Sequence, residues 1–180
     1  VCAREMYLAK KPASLSFEQA ACMPQAGVIA LQGIRDKGQV QPGQKVLING
    51  AGGSGGSFAL QLAKLYGAEV TAVDRGDKLD FLRSLGATHV IDYVREDFTR
   101  NGSQYDLILD LIAHRSMFDY ARALKPNGRY YAVGGSVATL LQIALLGPFL
   151  QMTTGKKIRV LVVRPNIADM VHLTELHAAG

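Results

Sequence analysis

The chain has 180 residues, enough to bury one hydrophobic core but too few for two full-sized domains. Hydrophobic residues make up 48% and charged residues 19% of it, which excludes a disordered or collagen-like chain. The formal net charge is +5, but lysines and arginines never form a run longer than a pair. We therefore expect no nucleic-acid partner.

The cysteines and the first residues give two further expectations. Cys2 and Cys22 lack the spacing of a zinc site or of a disulfide framework. So few cysteines are typical of a reducing compartment, and we expect a cytoplasmic protein. The chain begins at Val1 without an initiator methionine or a signal-peptide pattern, which indicates a fragment of a longer protein.

Residues 1–44 show no strand-helix alternation. Ser16 is a candidate helix cap, and an interrupted helical pattern then runs through Pro24 to about Lys37. We interpret residues 1–44 as an entry segment and helix that lead from a catalytic domain absent from this chain.

From Lys45 onward, short apolar runs alternate with stretches of helical period, which is typical of βαβ units. The predicted strands are Lys45–Asn49, Glu69–Val73, His89–Ile91, Leu107–Asp110, Arg129–Val133 and Ile158–Val163. The predicted helices are Gly55–Tyr66, Lys78–Leu85 and Ser116–Leu124. Gly67 and Gly86 end the first two, and a Lys125–Gly128 turn, with a positive φ at its glycine, ends the third. The sequence predicts an α/β fold, a Rossmann-type doubly wound parallel sheet of about six strands.

The most apolar stretch is Val137–Leu150. Gln142 and the Gly147-Pro148 pair interrupt it, and it is shorter than the about 20 residues that a membrane span needs. We expect no membrane association, and we expect this stretch to be buried or to lie at an interface.

A glycine-rich turn, GAGGSGG at residues 50–56, joins the first strand directly to the first helix. Strand, turn and helix in this order are typical of a dinucleotide-binding site, where the backbone approaches a pyrophosphate at a helix N-terminus. Two registers fit, one starting at Gly50 and one at Ala51, and we prefer the second because it packs Gly56 against the strand. The candidate pyrophosphate-binding residues are Ala51, Gly53, Ser54, Gly55 and Gly56.

Charged residues at the end of the second strand bear on the choice of dinucleotide. Asp74 is placed to accept hydrogen bonds from ribose hydroxyls, which favours NAD. Arg75 and Lys78 follow it closely and could bind the 2′-phosphate of NADP. The sequence therefore predicts a nicotinamide dinucleotide but leaves NAD and NADP open. Residues 45–180 are interpreted as the dinucleotide-binding domain.

The chain resembles the medium-chain dehydrogenase/reductase superfamily, in its zinc-free quinone oxidoreductase-like branch. The resemblance rests on the segments KPASLSFEQAA (11–21), QPGQKVLI (41–48), QLAK (61–64), LGATHVIDY (85–93) and LKPNGRY (124–130). It implies hydride transfer between NAD(P)H and a small-molecule quinone, enone or related carbonyl compound. It also implies that Tyr93 lies near the adenosine and that Gly134 and Gly135 lie by the nicotinamide. Catalytic residues are not identified.

Two positions depart from the family pattern. Gly55 replaces a small apolar residue of the turn, and Pro24 stands where zinc-dependent relatives have a cysteine, so we expect no zinc. Two alternatives stay open for the function: a non-catalytic dinucleotide sensor, and an enoyl reductase domain of a multi-enzyme synthase.

The last predicted strand indicates how the parent enzyme assembles. The segment Lys157–Arg164 is apolar and β-branched, and an unpaired sheet edge of this kind invites pairing with another chain. We expect a homodimer joined through this strand, with Leu140–Leu150 covered beside it.

Overall fold

The computed structural model describes residue 2 and residues 8–179. Its sheet has six strands: β1 Lys45–Asn49, β2 Glu69–Asp74, β3 His89–Asp92, β4 Tyr105–Asp110, β5 Leu124–Ala132 and β6 Lys157–Val160. All six are parallel and lie in the order β3-β2-β1-β4-β5-β6. The predicted α/β fold with a Rossmann-type sheet is confirmed.

Helices cover both faces of the sheet. They are α1 Phe17–Cys22, α2 Val28–Leu31, α3 Ser54–Leu65, α4 Leu79–Ser84, α5 Met117–Ala123, α6 Val137–Thr154 and α7 Ile167–Ala179. Strand residues alternate between two buried clusters: Ile48 packs with α2 and α3, whereas Leu47 packs with α5 and α6. Burial on both faces explains why the central strands β1 and β4 are largely apolar, whereas the edge strand β6 alternates apolar with charged residues.

The entry segment is helical from Phe17 to Gly38, where the sequence predicts an interrupted helix. Ser16 caps α1 through a capping box with Gln19, in which each side chain binds the backbone N–H of the other residue. The interruption expected at Pro24 takes the form of wider π-helical turns, Met23–Gly27 and Gln32–Gly38, which continue the helical path on either side of α2. The segment therefore packs against the sheet without a break.

β5 begins five residues earlier than predicted, at Leu124 instead of Arg129, so the turn predicted at Lys125–Gly128 lies within the strand, opposite a shift in its register with β4. The residue with positive φ is Asn127, at 62°, and not Gly128. Gly128 has a different role, because a Cβ there would lie 2.9 Å from the Lys125 carbonyl oxygen and 3.0 Å from that of Tyr105. Its small size permits close backbone approach. At Gly67 and Gly86, the predicted C-terminal glycines, φ is 76° and 95°.

The edge strand β6 ends three residues earlier than predicted, at Val160 instead of Val163. The Leu161 N–H still donates to the Ala132 carbonyl of β5 at 2.8 Å, and the chain then leaves the sheet and reaches a side chain of the entry segment. The Gln32 amide accepts from the Arg164 N–H at 3.0 Å and donates to its carbonyl at 2.8 Å. Leu161 turns inward and is buried, so it is not part of an exposed edge.

The apolar stretch after β5, for which the sequence predicted no helix or strand, forms one long helix. α6 runs through Pro148 for 18 residues. It packs closely on β6, where a Cβ at Gly147 would lie 2.4 Å from the Ile158 carbonyl oxygen. Its length and mean hydropathy would suffice to span a membrane, and 11% of it is buried. The exposed apolar residues of α6 are Val137, Leu141, Leu145, Leu146, Phe149 and Met152.

A buried carboxylate attaches α7 to the entry segment. Asp169 accepts hydrogen bonds from Gln32 Nε2 at 2.7 Å, Arg35 Nη2 at 2.6 Å and Asn166 Nδ2 at 2.7 Å. Burial alone would raise the pKa of Asp169, but these hydrogen bonds together lower it by more than burial raises it. The pKa of Asp169 therefore lies below its ordinary value. The ionised carboxylate therefore stabilises the folded chain.

We expect Asp169→Asn to destabilise the chain by about 1–3 kcal/mol at pH 7, because the donors around it lose a charged acceptor. A lowered carboxyl pKa contributes stability above the unfolded-state value of about 3.9 and loses it as the pH falls through the folded-state value. The deficit of the variant should therefore shrink in acid. Urea unfolding at pH 7 and pH 3 measures it, with Glu175→Gln, an exposed carboxyl on α7, as control. A deficit that is independent of pH would contradict this role.

Candidate functional site

The site lies at the carboxyl ends of the central strands. The strand order reverses between β1 and β4, and in such sheets a crevice opens at this point. β1 runs into the glycine turn, where the N–H groups of Gly50 and Ala51 both donate to the Val73 carbonyl of β2, at 3.0 and 3.1 Å. Gly50 has a φ of 83°, a conformation that favours glycine. The turn is thus fixed to the neighbouring strand.

Gly56 lets helix α3 approach the turn closely. A Cβ at Gly56 would lie 2.3 Å from the Gly50 carbonyl oxygen and 2.6 Å from Ala51 Cα, so no larger residue fits. This is the packing role that the register starting at Ala51 assigns to Gly56. At Gly55, a Cβ would lie 2.8 Å from Leu111 Cδ2. The Leu111 side chain therefore fills the space that the family's usual apolar residue would need.

Gly53 faces open space, in contrast to its neighbours. A Cβ there would meet only the Gly50 carbonyl oxygen, at 3.4 Å, and its φ of −85° suits any residue. Nothing inside the described part of the chain requires a glycine at this position. A ligand that comes close to the backbone would require one.

The N-terminus of α3 is free to bind an anion. Serines 16, 116 and 136 cap α1, α5 and α6 with their side chains, but Gly53 precedes α3 and no side chain among the described residues caps it. The first turn of α3 contains no acidic residue, and Ser54 is exposed there. The first N–H groups of α3 and the positive end of its dipole therefore remain available.

Asp74, Lys78 and Tyr93 come together at the ends of β2 and β3. The buried Asp74 carboxylate accepts from the N–H groups of Gly52 and Arg75, at 2.7 and 2.8 Å, and lies 3.5 Å from Lys78 Nζ. The Tyr93 N–H donates to the Asp74 carbonyl at 3.2 Å, and the Tyr93 side chain is exposed. The predicted adenosine-binding residues therefore form one corner beside the glycine turn.

Arg75 lies at the same corner but is already paired. Its guanidinium binds both carboxylate oxygens of Asp77 at 2.6 Å. The hydrogen bond raises the pKa of Arg75 and lowers that of Asp77. Both side chains are more than half exposed, so this is a surface pair. To bind another anion, the Arg75 guanidinium must first break its hydrogen bonds to Asp77.

Gly134 and Gly135 follow β5 and pack against the turn after β4. A Cβ at Gly134 would lie 3.1 Å from the Leu111 carbonyl oxygen, and one at Gly135 would lie 3.0 Å from Ala113 Cβ. Gly135 also has a φ of 129°. The Val133 N–H donates to the Asp110 carbonyl at 2.8 Å, which holds the two turns together. These glycines therefore allow the turn after β5 to pack closely on the turn after β4, and the two turns together form the wall of the crevice opposite α3.

A buried polar network behind this wall was not predicted. Asp110 Oδ1 accepts from Asn49 Nδ2 and from the N–H groups of Ile112 and Ala113, and Oδ2 accepts from the Tyr130 hydroxyl at 3.0 Å. Burial and the nearby Asp110 raise the pKa of Tyr130, which therefore stays a neutral donor. The network fixes the 111–113 turn, in which Ala113 has a positive φ of 49°. The sequence did contain a signal for this network. Asn49 and Asp110 are polar residues, and each ends a strand that is otherwise largely apolar.

Metal ligands do not come together in the described part of the chain. Among residue 2 and residues 8–179, no group of three His, Cys, Asp or Glu side chains could hold a metal ion. Both cysteines are exposed and free.

Comparisons with known proteins agree with this geometry. A family model described as zinc-binding dehydrogenase matches residues 56–175. A zinc-type alcohol dehydrogenase-like protein of Schizosaccharomyces pombe is 46% identical over 137 residues, which are 71% of this chain and 39% of that protein. The chloroplastic NADPH-dependent alkenal/one oxidoreductase of Arabidopsis thaliana is 39% identical over 137 residues, 74% of this chain and 34% of that protein.

Solved structures show the same fold. The quinone oxidoreductase from Coxiella burnetii matches 95% of this chain and 52% of that chain with a TM-score of 0.80 and 28% identity. The CurK enoyl reductase matches 97% of this chain and 55% of that chain with a TM-score of 0.75 and 25% identity. The chain thus spans about a third to two fifths of these curated relatives and about half of these solved chains. It belongs to the zinc-binding dehydrogenase family, in the quinone oxidoreductase-like branch of the medium-chain dehydrogenase/reductase superfamily.

Proposed function

We propose that the chain is the nicotinamide-dinucleotide-binding domain of a zinc-independent oxidoreductase. The parent enzyme would transfer hydride between NAD(P)H and a quinone, an enone or a related carbonyl compound. The observation that carries this proposal is the open backbone at Gly53 beside the uncapped N-terminus of α3. A pyrophosphate matches both features, because it needs close backbone approach and free N–H donors.

The described residues fit the parts of such a cofactor. Ala51, Gly53 and Ser54 border the place for its pyrophosphate, while Gly55 and Gly56 let α3 begin there. Asp74 and Lys78 would hold the adenosine ribose, with Tyr93 beside them. The nicotinamide, which supplies or accepts the hydride, would lie towards Gly134 and Gly135. The residues that bind and orient the carbonyl substrate would come from the rest of the parent protein.

A second candidate function is an enoyl reductase domain within a multi-enzyme synthase. The likeness to the CurK enoyl reductase favours it. An enoyl thioester is also a conjugated carbonyl compound, so both candidates need the same cofactor site and the same hydride transfer. They differ in whether the substrate is free or attached to a carrier, and the sequence that flanks this domain in its parent protein distinguishes them.

Gly53→Val tests the cofactor site. We expect the variant to remain folded, because its Cβ has room, and to lose affinity for both NADH and NADPH by about tenfold or more, because the side chain occupies the approach to the pyrophosphate. Calorimetric titration measures affinity, and circular dichroism measures folding. Gly56→Ala is the contrasting variant, which should unfold more readily because its Cβ overlaps the Gly50 carbonyl. Unchanged affinity in a folded Gly53→Val protein would overturn the proposed site.

Asp77 should influence which dinucleotide is preferred. It holds Arg75 and adds negative charge beside Asp74, and both effects disfavour a 2′-phosphate. We expect Asp77→Asn to raise the affinity for NADPH relative to NADH by about threefold, the scale of one exposed ion pair. The matched control is Asp80→Asn, which removes a fully exposed carboxylate paired with Arg83. An equal change in both variants would mean that Asp77 acts only through net charge.

We also propose that the parent enzyme is a homodimer joined along the free edge of β6 and the exposed face of α6. The exposed apolar residues of α6 support this, since a patch of this kind on a soluble protein usually marks an interface. Light scattering at tens of micromolar should give a dimer, and Leu145→Lys should shift it to monomer. Leu65→Lys, at another leucine that is more than half exposed, on α3, is the control. A monomeric unmutated protein would refute the interface.

A further inference from the structure

Four cationic side chains meet at one corner of the sheet, far from the glycine turn. Lys37 lies at the end of the helical part of the entry segment, in the turn Gln32–Gly38. Arg129 and Lys157 are register partners on β5 and β6, and Arg159 is the next residue of β6 on the same face, opposite Tyr131. Arg129 and Lys157 form the first pair in the ladder, so the corner lies towards the amino ends of these strands. The crevice lies at their carboxyl ends.

These four cations have no acidic partner within the described part of the chain. Arg129 donates to the Gly38 carbonyl, and Arg159 donates to the Gln151 side-chain oxygen at 2.8 Å. Two other partly buried cations, by contrast, are paired with carboxylates: Arg35 with Asp169, and Lys125 with Asp106. The corner therefore has an uncompensated positive charge.

The charges at this corner act on one another. Burial lowers the pKa of Lys157, and the neighbouring charges of Arg159, Arg129 and Lys37 lower it further. The protonated form of Lys157 is therefore less favourable in the free protein than in water. An anion between them would reverse the effect, because an opposite charge stabilises the protonated amine.

A groove opens between these side chains. It has a volume of about 300 Å³ and is lined by Lys37, Tyr131, Gln151, Lys157, Arg159 and Val162. Three of its cations can donate hydrogen bonds into one space. A tetrahedral oxyanion offers several acceptor oxygens, which suits separate ammonium donors and a guanidinium fork better than a single carboxylate does.

We propose that this groove is an oxyanion-binding site that accepts a phosphate-sized group through Lys37, Lys157 and Arg159. The site is separate from the glycine turn and does not depend on the proposed function. Inorganic phosphate is the simplest probe. An oxyanion bound here would hold the end of the entry segment to the edge strand β6.

Residue-resolved NMR titration with phosphate tests the site, at ionic strength held constant with NaCl. We expect saturable shifts at residues 157–159, and a higher pKa of Lys157 with phosphate present. Lys157→Gln should weaken this binding by about tenfold, as expected for loss of one charge-assisted hydrogen bond. Lys64→Gln removes the same charge from an exposed site on α3 and should leave it unchanged.

Two further variants separate the groove from the dinucleotide site. Phosphate can also bind at the N-terminus of α3. Gly53→Val should abolish shifts at residues 53–56 and leave those at 157–159, while Arg159→Gln should do the opposite. The amide spectrum of each variant reports its folding. Shifts confined to residues 53–56, or equal affinities in Lys157→Gln and Lys64→Gln, would overturn the proposal.

Discussion

The contact between Gly56 and the Gly50 carbonyl determines the geometry of the site. With any side chain at Gly56, α3 would have to move away from β1, since a Cβ would lie 2.3 Å from that oxygen. Because α3 sits this close, its uncapped N-terminus lies directly over the turn and beside Gly53. The positive end of the α3 dipole and the open backbone at Gly53 therefore face the same small space. Both features together make that space suitable for an anion.

The opposite wall of the crevice depends on a buried carboxylate. Asp110 is fully buried, and four donors, from Asn49, Ile112, Ala113 and Tyr130, satisfy it. These donors come from β1, from β5 and from the turn that follows β4, so the network joins three strands at their carboxyl ends. It holds Ala113 in a left-handed conformation, and Gly135 packs against that residue. The rigidity of this wall thus comes from hydrogen bonds, whereas that of the α3 wall comes from close packing.

The sequence predicted what local patterns determine and missed what distant contacts determine. The glycine turn and the six strands follow local patterns and are found close to where they were predicted, with the largest differences at the start of β5 and the end of β6. Beyond the end of β6 the backbone of Arg164 binds Gln32, 132 residues away, and no local pattern shows that pairing. The Asp110 network requires knowing that β4 lies between β1 and β5. Arg75 lies at the end of β2, but its pairing with Asp77 is a choice of side-chain conformation, which spacing alone does not determine.

The edge strand β6 separates two surfaces of opposite character. α6 packs on β6 and exposes Leu145 and Phe149, while Lys157 and Arg159 lie on the alternate side of the strand from the buried Ile158, with Arg159 reaching back to Gln151 of α6. A second copy that pairs antiparallel along β6 would bury apolar surface of α6 and, because β6 has only four residues, would bring the cations of the two copies within about one strand length of each other. That repulsion is about 1 kcal/mol for two charges 4 Å apart in water, and salt screens it over about 10 Å. Pairing of two copies is therefore opposed at low ionic strength, and an oxyanion in the groove would remove part of that opposition.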